Sequence, residues 1–304
     1  MRNPAARRVP KAGPLRAALD ALEGWETSLE ETGGPGHATA LATIAAQRGL
    51  DAVVACGGDG TVNEVANGLA ASTTALAVVR GGTSNVWAKE TSIPKDPASA
   101  VRLLADGEQR AVDLGRASAI GGSASGGGGR YFLLMAGVGL DAAIVRDVSP
   151  TWKRRVGAAA YLLHGIGTAL RYRSVEAGLT RDGEAASSRL YWLLVANTRN
   201  YAGLLDIALH AQADDGLLDI CLLHKGGLPR LAWLLPWVLL RRHDRRAHVE
   251  YHQARSLDIA TPELPVQVDG EYLGETPLRF EVAPGALRVI VPRGLKKPLF
   301  RASA

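Results

Sequence analysis

Apolar residues recur at helical spacing in residues 14–23 (PLRAALDALE) and again in 37–48, so both stretches predict amphipathic helices. Between Asp51 and Cys56 the pattern changes to an unbroken apolar run, which suits a parallel strand covered on both faces. The turn GGDGT follows, then a helix over Val62–Ala71, a second buried strand over Ala75–Val79, the turn GGTSN and a further helical segment. Residues 97–106 predict one more helix. Strands alternating with helices indicate a parallel α/β sheet.

From Ala111 the periodicity shortens. AVDLGRA, YFLLMAGVG, SVEAGLTRD, RLYWLLVAN, GLLDICLLH, SLDIATP, LPVQVDGE, LRFEVA and ALRVIVP read as strands, most with no helix between them. That is the signature of an antiparallel, sandwich-like domain. Two helices interrupt it, over about Thr151–Tyr172 and Leu228–His243, and GGSASGGGG (121–129) reads as a flexible hairpin tip. The expected organisation is an α/β nucleotide-binding domain over 1–110 and a β-rich domain over 111–304, with room for the last residues to return to the first. A βαβ domain should open on an apolar strand, yet Met1 stands directly before Arg-Asn-Pro. Either that strand is missing or the start has been placed late.

Composition narrows the picture. With 47% hydrophobic and 21% charged residues the chain has the balance of a folded globular protein rather than a disordered one. The net charge of +5 suits nucleic acid, anionic lipid surfaces or phosphate-bearing substrates without choosing among them. No basic run is interleaved with stacking aromatics on a strand platform, which argues against nucleic acid. Cys56 and Cys221 sit in apolar runs and read as buried reduced thiols, so a reducing, cytoplasmic compartment is expected. His164, His210, His224, His243, His248 and His252, six of the seven histidines, form no ligand spacing. The N-terminus lacks the apolar segment of a secretory signal, and Leu228–Leu240 is too short to span a bilayer.

The densest chemistry lies in AVVAC-GGDGT-VNEVANGLA. Gly57, Gly58 and Gly60 let several backbone N–H groups converge, and the helix that follows adds its dipole, a combination that favours phosphate. Thr61 and Glu64 have the T-x-x-E spacing of a capping box. Asp59, set among the glycines, makes most sense holding Mg²⁺ directly or through water. A second turn, Gly81-Gly82-Thr83-Ser84-Asn85, follows the next strand and would face the first at the carboxyl ends of the sheet. GVGLDA (137–142) mimics a dinucleotide fingerprint, but no acidic strand end follows it about 20 residues later.

GGDGTVNEV, then GGTSN, then AKE resembles the catalytic domain of the diacylglycerol kinase family, which bacterial lipid kinases and the sphingosine and ceramide kinases share. Further landmarks follow in order: Asn3-Pro4, Val112-Asp113-Leu114-Gly115, Gly137-Val-Gly-Leu-Asp141, Ala213-Asp-Asp-Gly-Leu-Leu-Asp219 and Val268-Asp-Gly-Glu271. The resemblance implies an ATP- and Mg²⁺-dependent lipid kinase, most simply one converting diacylglycerol to phosphatidic acid, with its active site between the two domains. ATP would meet Asn3, Pro4, Ala5, Ala6, Arg7, Thr32, Gly57, Gly58, Asp59, Gly60, Thr61, Val62, Asn63, Gly82, Thr83 and Asn85. Asp59 and Asp113 would belong to the catalytic magnesium network, and Glu271, with Asp269 beside it, would be the base. A structural Mg²⁺ would be held by Asp215 and the carbonyls of Gln212 and Leu217.

The chain departs from the family pattern at Val86, where a polar residue is usual, and at Ala6-Arg7, where a hydroxyl and a glycine are lost and Arg7 and Arg8 would pair with phosphate instead. The implied partner is a lipid substrate at an anionic membrane surface, with transient association to the inner face and a homodimer left open. The helix over 228–243 sets Trp233, Trp237 and leucines beside Arg230, Arg241, Arg242, Arg245 and Arg246, and Trp152-Lys-Arg-Arg155 repeats the motif. Such faces suit a bilayer interface. The alternatives are a kinase acting on a soluble substrate such as NAD, since NAD kinases also carry GGDGT, and an inactive relative that keeps the fold.

Overall fold

The computed structural model describes residues 1–121, 129–147, 165, 167–295 and 298–301. The chain divides into two compact units. The first comprises Met1–Leu114, Gln212–Gly216 and Ala283–Ala304, the second Gly115–Ala211 and Leu217–Val282.

The first unit contains α1 (Ala12–Asp20), α2 (His37–Gln47), β1 (Ala52–Gly57), α3 (Asp59–Leu69), β2 (Ala75–Arg80), α4 (Val86–Glu90) and α5 (Pro97–Asp106). β1 and β2 pair in parallel, from Ala52 opposite Ala75 to Gly57 opposite Arg80. α3 packs on β1, α5 on β2, and α2 and α1 pack outside α3 and α5. Ala55, Cys56, Val65, Leu69, Val79 and Val101 are fully buried, as expected of strands covered by helices. Gly68 makes the α2–α3 contact possible, since a Cβ there would stand 2.5 Å from the Thr39 carbonyl oxygen. The place expected for an opening strand is taken by residues 1–3, where Arg2 bridges Cys56 on one side and Glu31 on the other, both in parallel. α5 has an Asp96 cap on the Ser99 N–H (2.8 Å) and Pro97 in its first turn.

β3 (Glu108–Ala119) begins the β-rich part of the chain. The second unit continues with β4 (Arg130–Phe132), β5 (Met135–Gly139), α6 (Leu140–Asp147), β6 (Val175–Arg181), β7 (Glu184–Leu190), β8 (Trp192–Ala196), β9 (Asn200–Tyr201) and β10 (Leu205–Asp206). β11 (Leu218–Leu223), α7 (Leu228–Leu239), β12 (Val249–Ala254), β13 (Ser256–Ile259), β14 (Pro265–Val268) and β15 (Glu271–Glu275) follow, and then β16 (Leu278–Val291). One sheet has the order β12-β11-β8-β5-β14-β15, antiparallel throughout. In the other, β7, β6, β13 and the opening of β16 pair antiparallel.

The two sheets share one core. Ala136, Val138, Leu193, Val195, Ile220, Val266 and Val268 meet Ala177, Leu257, Ile259 and Phe280. Alternate residues point inward, as the strand period of two demands, and each large aliphatic so buried contributes about 1.5–3 kcal/mol. The fold class read from the sequence, an α/β unit followed by an antiparallel sandwich, is the fold observed.

Several local expectations change. LRFEVA and ALRVIVP join in the single strand β16, which passes through Pro284-Gly285 with Gly285 at φ +59°. The closing part of β16 runs parallel to β2, Arg288 opposite Ala75. The helix expected over Thr151–Tyr172, with Trp152–Arg155, lies outside the described residues as far as 164, as does His164, while residues 167–171 are helical. Most of the glycine-serine stretch 121–129 also lies outside them.

Candidate active site

Three turns of the first unit converge. Gly58 and Gly82 touch backbone to backbone: a Cβ on Gly82 would lie 2.6 Å from the Gly58 Cα, and one on Gly81 3.0 Å from the Gly57 Cα. The Gly81 amide donates to the Gly57 carbonyl (2.8 Å). The third turn begins at Asn3, whose side-chain amide donates to Thr61 Oγ1 (2.8 Å), while its Oδ1 accepts from the Ala5 N–H (3.0 Å). It ends at Arg8, whose amide donates to the Gly81 carbonyl (2.9 Å). Asn3, Pro4, Ala5, Ala6 and Arg7 therefore lie on a turn tied to both glycine turns. Thr32 is buried beside it, its amide donating to the Arg2 carbonyl.

Asn85, at φ +47°, closes the second turn on itself by accepting from the Gly82 N–H (2.9 Å) and donating to its carbonyl (2.8 Å). Thr83 is exposed at the tip. Val62 and Asn63 are buried, and the Val62 amide closes the first turn of α3 on the Gly58 carbonyl. Their side chains support the turn from the core side.

The capping-box expectation fails. α3 starts at Asp59, no side chain caps it, and Thr61 Oγ1 accepts from Asn3 instead. Glu64 reaches across to another helix, where its Oε2 accepts from the Ala38 N–H (3.1 Å) in the first turn of α2. An uncapped helix start beside two glycine turns that a Cβ on Gly81 or Gly82 would force apart makes a cradle that suits phosphate oxygens.

Asp59 Oδ1 accepts from the Val86 N–H (2.7 Å), binding the first glycine turn to the start of α4. Burial raises its carboxyl above the ordinary aspartate range, opposed by the Val86 and Asn85 amides and by Lys89. A partly buried carboxylate held in this way fits a divalent cation, which would stabilise its charged form. The contact also explains how Val86 stands where a polar side chain was expected: its amide serves Asp59, and its side chain is buried.

Asp113 is different. It is buried, with Oδ2 accepting from the Gly216 N–H (2.6 Å) and Oδ1 from the Gly285 N–H (2.7 Å). Its own amide donates to the Ala213 carbonyl (2.7 Å). Asp113 thus clamps the three chain segments of the first unit together. On the same 212–217 turn the Asp215 carbonyl accepts from Arg301 Nη2 (2.6 Å), and the Asp214 carboxylate accepts from the Arg301 amide (2.8 Å). Among the described residues no group of three or more His, Cys, Asp or Glu side chains could hold a metal. A cation at Gln212, Asp215 and Leu217 would rest on one carboxylate, backbone carbonyls and waters, a donor set that magnesium tolerates.

In the second unit the Asp269 carboxylate accepts from three successive amides, Leu133 (2.9 Å), Leu134 (3.0 Å) and Met135 (2.9 Å). The Asp269 amide donates to the Met135 carbonyl, and Gly270 donates to Gln267 Oε1 (2.7 Å). Asp269 holds the turn rather than standing free beside Glu271. Glu271 projects from that turn, half exposed, and pairs with Arg130 (2.5 Å).

Arg130 was not foreseen, because a partner 141 residues away leaves no local pattern. The same holds for the buried group in which Asp141 accepts from Tyr201 Oη and from Gln267 Nε2 (2.7 Å). GVGLDA lies on β5 and α6 within the antiparallel sheet, which removes the dinucleotide reading. Both cysteines are free and buried in strands, with burial pushing the Cys56 thiol up to about 11 and the Cys221 thiol up to about 12.

Comparison with known proteins agrees with this architecture. The Diacylglycerol kinase catalytic domain family matches residues 3–117, and the YegS C-terminal NAD kinase beta sandwich-like domain matches residues 134–291. The chain is 30% identical over 297 residues to a diacylglycerol kinase of Bacillus subtilis (strain 168), covering 96% of this chain and 95% of that one. It is 28% identical to a diacylglycerol kinase of Staphylococcus carnosus (strain TM300), over 90% of this chain and 87% of the other. A crystal structure from Bacillus anthracis (strain Sterne), provisionally described as a diacylglycerol kinase, superposes with a TM-score of 0.74 at 25% identity, covering 93% and 89% of the two chains. A second structure from that strain, of a diacylglycerol kinase, shares the fold at a TM-score of 0.65 and 22% identity, covering 96% of each chain. This chain belongs to the diacylglycerol kinase family, whose members are phosphotransferases with an alcohol group as acceptor.

Proposed function

We propose that the protein transfers the γ-phosphoryl group of ATP to the hydroxyl of a lipid at an anionic membrane surface, with diacylglycerol as acceptor and phosphatidic acid as product. The observation that carries the reading is the contact of two glycine turns and an asparagine turn around an uncapped helix start, with Asp59 tied into the second turn. Backbone amides there bind and orient the phosphates, and Arg7 and Arg8 add charge. Bound Mg²⁺ would offset phosphate charge, held by Asp59 directly or through water. Asp113 and Asp269 act as positioning residues, because amide donors engage their carboxylates.

Glu271 is the base. It accepts the proton of the lipid hydroxyl as the hydroxyl oxygen bonds to the γ-phosphorus and ADP departs with the bridging oxygen. Relatives named diacylglycerol kinase at about 30% identity support the acceptor. The test is phosphate transfer from labelled ATP with Mg²⁺ to a panel of dispersed lipids, with NAD as the soluble control. Labelled phosphatidic acid is the expected product. Labelled NADP would overturn the lipid reading, and no product in any arm would leave an inactive relative.

A further inference from the structure

α7 buries Leu234 and Val238 against its unit, each 8% exposed, but its opposite face is apolar too. Trp233, Leu235, Leu239 and Leu240 are 51%, 47%, 64% and 62% exposed. A helix that is apolar all round and covered on one side leaves surface that a water-facing protein has reason to hide. The β9–β10 turn repeats the feature, since Leu204 is 82% exposed and β10 packs against α7. These exposed residues are not scattered. They belong to one helix and the short hairpin next to it.

Where α7 ends, the chemistry turns basic. Arg199, Arg241, Arg242 and Arg245, with His210, line a cavity of about 400 Å³ that Asp206 and Asp244 also border. Both acids are engaged: Asp206 pairs with Arg241 (2.5 Å) and accepts from Asn200 (2.9 Å), and Asp244 pairs with His210 (3.2 Å). Four arginines against two aspartates leave the cavity positive. Arg246 stacks on Trp237 at 3.5 Å from its ring centre, fixing the second tryptophan and adding another cation at the same end of the helix.

We infer that the outward face of α7, with the arginine cavity at its C-terminal end, is a docking surface for an anionic phospholipid bilayer, distinct from the residues proposed for phosphoryl transfer. The exposed leucines and Trp233 enter the headgroup–acyl boundary, and the cavity takes a headgroup phosphate, where guanidinium forks match phosphate oxygens. Charge complementarity selects this occupant. A bilayer offers apolar depth beside a dense anionic plane, as the helix and its basic end require together. The inference deepens the lipid-kinase reading, and relies on it only for the purpose of docking.

The experiment measures co-sedimentation of the full chain with vesicles of phosphatidylcholine alone and of phosphatidylcholine and phosphatidylglycerol in equal parts. The wild type should bind the mixed vesicles far better, and less so as salt rises. The double variant Arg242→Glu/Arg245→Glu should lose about 30-fold or more in binding to them. Trp233→Ser/Leu239→Ser should lose about 10-fold with the salt dependence retained. ATP binding should be unchanged in both, which guards against misfolding. Equal binding to both vesicle types, or variants that bind like the wild type, would overturn the inference. So would a dimer in sedimentation that Leu239→Ser dissociates, because a second copy would then cover the face. Phosphorylation of a short-chain dispersed diacylglycerol, followed in parallel, separates the two claims. Docking without any transfer removes the kinase reading alone, and transfer without docking removes this one.

Discussion

At the glycine turns of the first unit two backbones touch, and the Gly81 amide closes on the Gly57 carbonyl; at the Asp269–Glu271 turn of the second, one carboxylate gathers three amides while another projects. The first arrangement depends on the absence of side chains at Gly81 and Gly82. The second depends on one particular side chain. The contrast explains why Ala6 and Val86 can depart from the family pattern without dismantling the cradle: the Ala6 amide donates to the Asn3 carbonyl, and the Val86 amide to Asp59. It also sorts four carboxylates that look alike in sequence. Asp113 and Asp269 accept from two and three backbone amides, whereas Asp59 accepts from the Val86 amide and Glu271 pairs with Arg130.

The largest effect expected is at Asp59. Asp59→Asn should cut turnover about 1,000-fold or more, since the carboxylate proposed to hold Mg²⁺ is lost. The same change should raise thermal stability at neutral pH by about 2 °C. The sign follows from burial. A carboxyl whose titration is raised in the folded state binds its proton more tightly there, so its charged form lowers stability as pH climbs through the raised value. The gain should therefore vanish at acid pH, where both proteins are neutral at this position. A variant less stable than wild type at pH 7 would break the assignment of Asp59 as a group strained for function.

Glu271→Gln comes next, with kcat down about 100-fold to 10,000-fold and ATP affinity and melting temperature essentially unchanged. Equal losses in turnover and nucleotide binding would argue against a base. Gly82→Ala sharpens the comparison from the other side. Its Cβ has no room against Gly58, so the turns must part, and ATP affinity measured by calorimetry should fall roughly 10-fold to 100-fold.

Asp269→Ala strands three amides and should cost about 2–4 kcal/mol in denaturant unfolding, with activity falling along with the folded fraction. The smallest effect belongs to Glu64→Ala. Loss of the Ala38 cap should cost about 1 kcal/mol and leave kcat alone. A large loss of turnover there would mean that the α2–α3 contact governs the cradle.

The amino-acid sequence by itself determined the fold class and the chemical vocabulary. Unbroken apolar runs at 51–56 and 75–79 required strands covered on both faces, and glycines at 57, 58, 81 and 82 required close backbone approach. Alternation in LPVQV and the apolar run LLVAN indicated strands, and Leu264, Val266 and Val268 of the one and Leu193 and Val195 of the other enter the sandwich core. Tertiary structure alone decided which polar groups meet. Glu64 looked like the cap of its own helix and caps its neighbour, and the carboxylates of Asp113 and Asp269 accept from amides far along the chain, partners that no local pattern announces. Arg130 reaches Glu271 across 141 residues, and residues 1–3 complete a sheet edge that too short a pattern could not announce. The reason is range: hydrophobic periodicity is written locally, over one strand or one turn of helix, whereas a carboxylate's partner is chosen by whichever donors the packed chain brings within 3 Å.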